Sequence, residues 1–266
     1  MTIQFTQIRS ATVIIDVDGV RFLVDPMFGP KDAYPGLPIS QNPNKRWPIS
    51  ELPYQFEEFP QYDAVIFTHL HIDHADPIAL ALLPKNTPVF AQDREDALTL
   101  TAHGFRNVRI LEATETIFKG VRILRTNCLH GDYVTSKPTY DSIDMRIEAS
   151  GVIFIGNDGK KLWLVGDSIW CSFIDNIIEE HQPDAVVINA ARAGFTLPTG
   201  FVPIIMGDND VVRMCKELPR AIVIASHLDC VPHATVTRKD LIKTTKNEGL
   251  ENRVFIPLDG ETVKVC

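Results

Sequence analysis

The chain has 266 residues, 45% of them hydrophobic and 23% charged, with 15 Gly and 18 Pro. This composition excludes disordered, collagen-like and coiled-coil proteins, and the length suits one large domain or two small ones and can bury a full core. The formal charge of −8, from 26 basic and 34 acidic residues, comes without any Lys/Arg cluster, which argues against a nucleic-acid partner.

The opening Met1-Thr-Ile-Gln-Phe has no basic segment leading into an apolar stretch, so no leader is expected. The first expected strands are 12–16 and 20–25, with Asp18-Gly19 between them as a hairpin signal. Residues 26–60 then hold eight of the eighteen prolines, together with Tyr34, Trp47 and Tyr54. Prolines also stiffen inert surface loops, but a loop of that length is usually functional, and this one is expected to lie near the active site and shape the pocket. Segment 64–67 reads as a strand, and 77–83 as a helix with Asp76 at its N-cap and Pro77 at the first helical position. A strand at 89–91, a helix at 94–103 and strands at 108–111 and 121–124 follow. Segments 143–149, 152–155 and 162–165 read as an antiparallel set, with Asn157-Asp-Gly as a turn. The remainder alternates: helix 173–180, strand 185–188, helix 209–218, strand 221–225, helix 238–246, then strands 254–256 and 262–265. Hairpins followed by strands interleaved with helices imply an α/β (α+β) fold. It has two sheets covered by helices on their outer faces, in one domain over 1–266.

The informative segment is Thr68-His69-Leu70-His71-Ile72-Asp73-His74, directly after the expected strand 64–67. In an extended chain residues two apart share a face. His69, His71 and Asp73 then point to one side, and the turn into the helix behind Asp76 swings His74 to the same place. Three more ligand-type residues follow expected strands: His130 in Thr126-Asn-Cys-Leu-His-Gly, Asp167 in Val-Gly-Asp-Ser, and His227 in Ala-Ser-His-Leu-Asp. Open α/β sheets collect their sites at the carboxyl ends of strands, so four strand ends can share one pocket. Taken singly, a His after a strand is more often a satisfied polar residue, and an Asp often caps a turn. Together, imidazoles and carboxylates suit Zn²⁺ first, with Mn²⁺ or Fe²⁺ as alternatives. Seven protein ligands exceed what one open catalytic ion takes. Two ions about 3.5–4 Å apart, sharing a carboxylate, absorb them all.

The His-x-His-x-Asp-His segment, His130, Gly166-Asp167 and His227 resemble, in order and separation from Val13 to Val265, the metallo-β-lactamase-fold superfamily. The resemblance implies a four-layer αβ/βα sandwich with its site at the open edge. It also implies that His69, His71 and His130 hold one ion, that Asp73, His74 and His227 hold the second, and that Asp167 bridges them. Ser226-His-Leu-Asp-Cys-Val-Pro-His233, continuing to Arg238, and Val24-Asp25-Pro26 are similar to the branch around L-ascorbate-6-phosphate lactonase. True β-lactamases of this fold place a cysteine where Asp167 stands. RNA-cleaving relatives carry an added domain or arm, and flavodiiron relatives carry Glu where His71 stands. The expected activity is therefore hydrolysis of a small ester or lactone, anionic or phosphorylated, by a hydroxide held between two divalent ions. The alternatives are a phosphodiesterase with the same site and a non-catalytic metal-binding sensor or scaffold.

Asp73 is expected to orient the hydroxide as well as to bind metal. His233, six residues past His227, reads as a general acid or substrate contact, or equally as a histidine bonded within its own loop. Asp25 reads as the hydrogen-bond partner of a ligand histidine or as a simple turn cap. Arg192 and Arg238 read as contacts for an anionic substrate or as solvated charges. The expected partner is a small-molecule substrate, with no nucleic acid and no membrane, since no apolar run approaches the roughly 18 residues that span a bilayer. A homo-oligomer is left open. The cysteines Cys128, Cys171, Cys215, Cys230 and Cys266, odd in number and unpatterned, read as idle thiols of a cytoplasmic protein.

Overall fold

The computed structural model describes residues 3–265; Met1, Thr2 and Cys266, which entered the readings of the opening segment and of the thiols, lie outside them. Strands β1 (Ile3–Arg9), β2 (Thr12–Val17) and β3 (Val20–Val24) form an antiparallel meander. Asp18 and Gly19 close its second hairpin, both at positive φ, as a tight two-residue loop demands. Strands β4 (Ala64–Phe67), β5 (Val89–Ala91) and β6 (Val108–Ile110) then add in parallel, connected by α1 (Pro77–Leu82) and α2 (Arg94–Ala102).

The second sheet begins as an antiparallel run of β7 (Thr116–Phe118), β8 (Val121–Asn127), β9 (Ser150–Ile155) and β10 (Lys161–Leu164), with the short helix α3 (Lys137–Ser142) between β8 and β9. Helix α4 (Ser172–His181) leads to β11 (Ala185–Asn189), parallel to β10. A separate hairpin, β12 (Gly194–Leu197) and β13 (Gly200–Pro203), precedes α5 (Asp208–Glu217). Strand β14 (Ile222–Ser226), helix α6 (Arg238–Asn247) and strand β15 (Val254–Phe255) complete that sheet in parallel, and β16 (Thr262–Lys264) returns to β1. The two seven-stranded sheets run β16-β1-β2-β3-β4-β5-β6 and β15-β14-β11-β10-β9-β8-β7.

Side-chain alternation builds the layers. Ala64 and Ile66 of β4 face the space between the sheets, with Phe22 from the same sheet and Phe154, Leu164 and Val187 from the other. Val65 and Phe67 face outward onto Leu80 of α1 and Leu100 of α2. On the second sheet Trp163, Val186 and Val223 pack beneath Ile174, Met214 and Leu241 of α4, α5 and α6. This is the expected four-layer αβ/βα arrangement. Strands covered on both faces read as continuous apolar runs, as β4 and β11 do, fully buried along their length.

One expected strand is absent. Segment 143–149 is irregular, and strand pairing starts only at Ser150. Asp144 takes a left-handed φ of 54°. Arg146 commits its carbonyl to His71 and its guanidinium to Asp93 and Asp96, so this backbone serves side chains rather than a neighbouring strand. Among the described residues no helix is long and apolar enough to cross a membrane. Cys128, Cys171, Cys215 and Cys230 are free thiols.

Candidate metal centre

The parallel register of β3 and β4 places their carboxyl ends side by side, where the Asp25 amide donates to the Ile66 carbonyl at 3.0 Å. Asp25 turns the chain at φ 50° and is buried. Its carboxylate accepts from the Thr68 amide at 2.8 Å, the Thr68 hydroxyl at 2.7 Å and His74 Nδ1 at 2.8 Å. Asp25 is thus the partner of a cluster histidine and not a mere turn cap. The histidine-rich segment is not extended as expected: the amides of His74 and Ala75 both donate to the His71 carbonyl at 2.8 Å. A tight turn, rather than strand alternation, gathers the four side chains.

The outer ring nitrogens are held by polar neighbours. His69 Nδ1 lies 3.1 Å from the Thr68 hydroxyl, whose own hydrogen goes to Asp25. His71 Nε2 donates to the Arg146 carbonyl at 2.6 Å, and His130 Nδ1 to the Ile204 carbonyl at 2.9 Å. His227, at the end of β14 with φ 61°, has Nδ1 3.2 Å from Ser10 Oγ. Asp167 follows Gly166 at the end of β10, and Asn189, at the end of β11, donates its side-chain amide to Asp167 Oδ1 at 2.6 Å.

The inner atoms then face one another. His71 Nδ1 lies 3.3 Å from His130 Nε2, and His74 Nε2 lies 3.3 Å from His227 Nε2. Asp167 Oδ2 stands 3.2 Å from His74 Nε2 and 3.5 Å from His130 Nε2, and Asp73 Oδ2 stands 3.5 Å from His227 Nε2. Three sets have their ligand atoms within 4.8 Å of one another: His69, His71 and His130; Asp73, His74 and His227; and His69, His74 and Asp167. The last takes one histidine from each of the other two. The structure therefore brings together all seven residues singled out from the sequence.

The donor set fits divalent cations on the structure's own terms. With their outer nitrogens donating, His71 and His130 oppose two lone pairs with no hydrogen between them, and His69 Nε2 is buried without a partner. Buried acceptors left this way are costly, and a cation between them removes the cost. The electrostatics agree. Burial pushes His69, His71 and His130 below the ordinary histidine range, His71 to about 3. Burial works against ionisation of Asp73 and Asp167 too, but His74 foremost outweighs it and holds both well below the usual carboxylate range. His74 itself is held well above the histidine range against burial by Asp167, Asp25 and Asp73, a proton that a bound cation displaces.

Beside the cluster lies a cavity of about 70 Å³. Leu37, Ile39 and Trp47 of the proline-rich segment, Tyr140 and Met145 beyond β8, and Phe195 of β12 wall it. The inner side of segment 26–60 therefore shapes the site. Asp76 anchors that segment, accepting from the amides of Phe28 at 3.0 Å and Gly29 at 2.5 Å and from the Tyr34 hydroxyl at 2.6 Å. His233 also lines the cavity, with Nε2 3.9 Å from Asp73 Oδ2 and Nδ1 buried without a partner, so its side chain is not bonded within its own loop. Burial pushes it down to about 4. No Lys or Arg is among the described residues lining the cavity. Arg238 is tied to Asp229, Asp259 and the Pro257 carbonyl, and Arg192 lies over the Phe201 ring. Asn189 and Tyr140 escaped the sequence reading. Asn189 ends an apolar strand like the other site residues and could have been found by that rule; Tyr140 had no such signal.

Residues 20–228 match the family model of the β-lactamase superfamily domain. This chain belongs to the metallo-β-lactamase-fold superfamily. Within it, the chain is similar to the UPF0173 protein YddR of Bacillus subtilis, 33% identical across 97% of this chain and 98% of that one. A solved structure described as a possible metal-dependent hydrolase from Veillonella parvula is 34% identical, covers 99% of both chains and superposes with a TM-score of 0.92. An isothiocyanate hydrolase from Delia radicum gut bacteria is 35% identical over 98% of both chains, with a TM-score of 0.91.

Proposed function

We propose that this superfamily member is a hydrolase holding two divalent cations, Zn²⁺ first and Mn²⁺ or Fe²⁺ as alternatives, that cleaves a small uncharged substrate at an electrophilic carbon. Isothiocyanates, esters and lactones with an apolar body are the classes it would take. The observation that carries this reading is the convergence of three overlapping His/Asp sets beneath an apolar cavity whose lining includes no Lys or Arg. The same lining offers an anionic or phosphorylated substrate no fixed positive charge beyond the metal centre itself. The likeness to an isothiocyanate hydrolase over nearly the whole chain puts that class first. Similarity to the L-ascorbate-6-phosphate lactonase branch rests only on the motifs around Asp25 and His233.

His69, His71 and His130 would hold one cation and Asp73, His74 and His227 the other, with Asp167 shared. Cations bound there supply Lewis acidity and bring the pKa of water to about 7. The chain's own residues do the rest. Asn189 fixes one oxygen of Asp167 and leaves the other facing His74 and His130. Asp73 and His233, 3.9 Å apart, are the candidate catalytic pair: the ionised carboxylate orients water, and the neutral imidazole meets the substrate. The apolar walls exclude bulk water, which strengthens each of these interactions.

Metal analysis of the purified protein, joined to turnover of phenethyl isothiocyanate, benzyl acetate and a γ-lactone against bis-p-nitrophenyl phosphate, tests this. Two ions per chain and hydrolysis of an uncharged substrate that chelation abolishes are expected. Turnover that survives complete metal removal, or faster cleavage of the phosphodiester, overturns the reading.

A further inference from the structure

Helix α3 carries a side chain whose polar atom neither the fold nor the metal centre uses. Tyr140 is 1% exposed and helps wall the cavity. Its ring lies 5.7 Å from His71 with an interplanar angle of 23°, 5.6 Å from His130, and edge-on to Phe195 at 5.0 Å. The backbone curls around it, with the amides of Ile143 and Met145 returning to the Tyr140 carbonyl at 3.2 and 3.0 Å. The ring is therefore held firmly. Its hydroxyl, however, is buried with no hydrogen-bond partner.

That combination is costly. Buried tyrosine hydroxyls ordinarily find a partner, and an orphan one destabilises the fold. Phenylalanine would make the same ring contacts without the cost. A phenol hydroxyl keeps its hydrogen at neutral pH, so this one is available as a donor to an acceptor on a bound molecule. His233 Nδ1, the other unpartnered polar atom of a residue lining this cavity, comes from a different segment.

We propose that the Tyr140 hydroxyl is the substrate-contacting donor of this site, giving its hydrogen to the oxygen or sulfur acceptor of an uncharged substrate whose apolar body fills the cavity. The inference rests on the reading of the site as one for neutral substrates. It makes Tyr140 a specificity-determining residue: substrates with an acceptor beside an apolar group gain, and those without one lose.

The test is Tyr140→Phe, which keeps every ring contact. With the wild-type enzyme active on a panel member, kcat/KM of the variant on that substrate should fall about 10- to 100-fold at unchanged metal content. The melting temperature of the chelated variant should be equal to or above that of the chelated wild type. Full activity in the variant overturns the proposal, and so does a clearly lower melting temperature, which would give the hydroxyl a structural partner. Should the wild type hydrolyse nothing on the panel, the functional reading fails separately. The hydroxyl is then judged by calorimetric binding of N-benzylacetamide to the metal-loaded proteins. Several-fold weaker binding by Tyr140→Phe supports the contact; equal binding, or none by either protein, overturns it.

Discussion

Replacing Asp25 with Asn isolates the part of the site that no ligand position reports. The carboxylate takes three hydrogen bonds, two from Thr68 and one from His74 Nδ1 at 2.8 Å. An amide of the same shape keeps its oxygen on the Thr68 amide but turns an NH₂ toward the Thr68 hydroxyl and the His74 ring. The hydroxyl can rotate and accept; the ring nitrogen cannot while it carries a hydrogen. His74 then either loses its partner or moves its proton to Nε2, the atom 3.2 Å from Asp167 and 3.3 Å from His227. In the second state the atom a cation needs is blocked. A charge-assisted hydrogen bond contributes about 1.5–3 kcal/mol, and losing such an outer partner costs about 10- to 100-fold in metal affinity. Against this, burial pushes the Asp25 carboxyl up despite His74, so a neutral amide recovers desolvation energy. The chelated fold should therefore lose no more than about 2 kcal/mol. Chelator competition for the metal and urea unfolding of the chelated protein separate the two effects. A folded Asp25→Asn protein with wild-type metal affinity would refute the reasoning.

Two further outcomes follow from the same geometry. His71 and His233 are pushed by burial to about 3 and about 4, against about 6.5 in an unfolded chain. Between those values the unfolded chain binds more protons, so the metal-free protein should lose stability as the pH falls below about 6.5. At pH 5 each histidine then accounts for about 2 kcal/mol. His74, raised rather than lowered, changes its contribution only above 6.5. Urea midpoints of the chelated protein at pH 7 and 5 measure the drop, and an identical drop in His233→Gln would rule out that histidine as a source. Gly166 has φ +77°, and an added Cβ would stand 2.2 Å from the Ser150 carbonyl oxygen. Gly166→Ala should displace Asp167, lowering both the metal content and the melting temperature by the equivalent of about 1–3 kcal/mol of strain. Unchanged metal content in a folded variant would show that the turn does not position the carboxylate.

The metal cluster was legible because its grammar is local. Each of His69, Asp167 and His227 lies within a few residues of an apolar strand whose two covered faces make it conspicuous; His130 follows β8, where Arg122 and Arg125 interrupt the apolar run. The arrangement around it was less so. Strand β1 reads Ile3-Gln-Phe-Thr-Gln-Ile-Arg, yet Gln7 and Arg9 are wholly buried. Arg9 donates to the carbonyls of Met27, Gly29 and Ser50, and only the folded proline-rich segment reveals that use of a charge. Strand β7 is three residues long and exposes Ile117. Segment 143–149 carries the apolar spacing of a strand but spends its polar groups on His71 and α2.

Of the cavity only the proline-rich wall was legible, for a reason that bears on how such a site diversifies. Its walls come from irregular or short pieces: the proline-rich segment, α3 with the coil after it, and the β12–β13 hairpin. Each wall meets the ligand cluster through one polar joint. Asp76, two residues past His74, receives the amides of Phe28 and Gly29; the Arg146 carbonyl receives His71; the Ile204 carbonyl receives His130. The joints use mostly backbone groups on the wall side, the Tyr34 hydroxyl on Asp76 and the Tyr140 ring on His71 being exceptions, so side chains such as Leu37 and Phe195 make no polar contact with the ligands. A residue such as Leu37 or Phe195 can change size without moving a ring nitrogen, provided the carbonyl or amide of its segment stays in place. Sequence patterns record duties of side chains and are silent about duties of backbone. The metal ligands are thus written in residue types, whereas most of the cavity's shape is written in the paths of three loops.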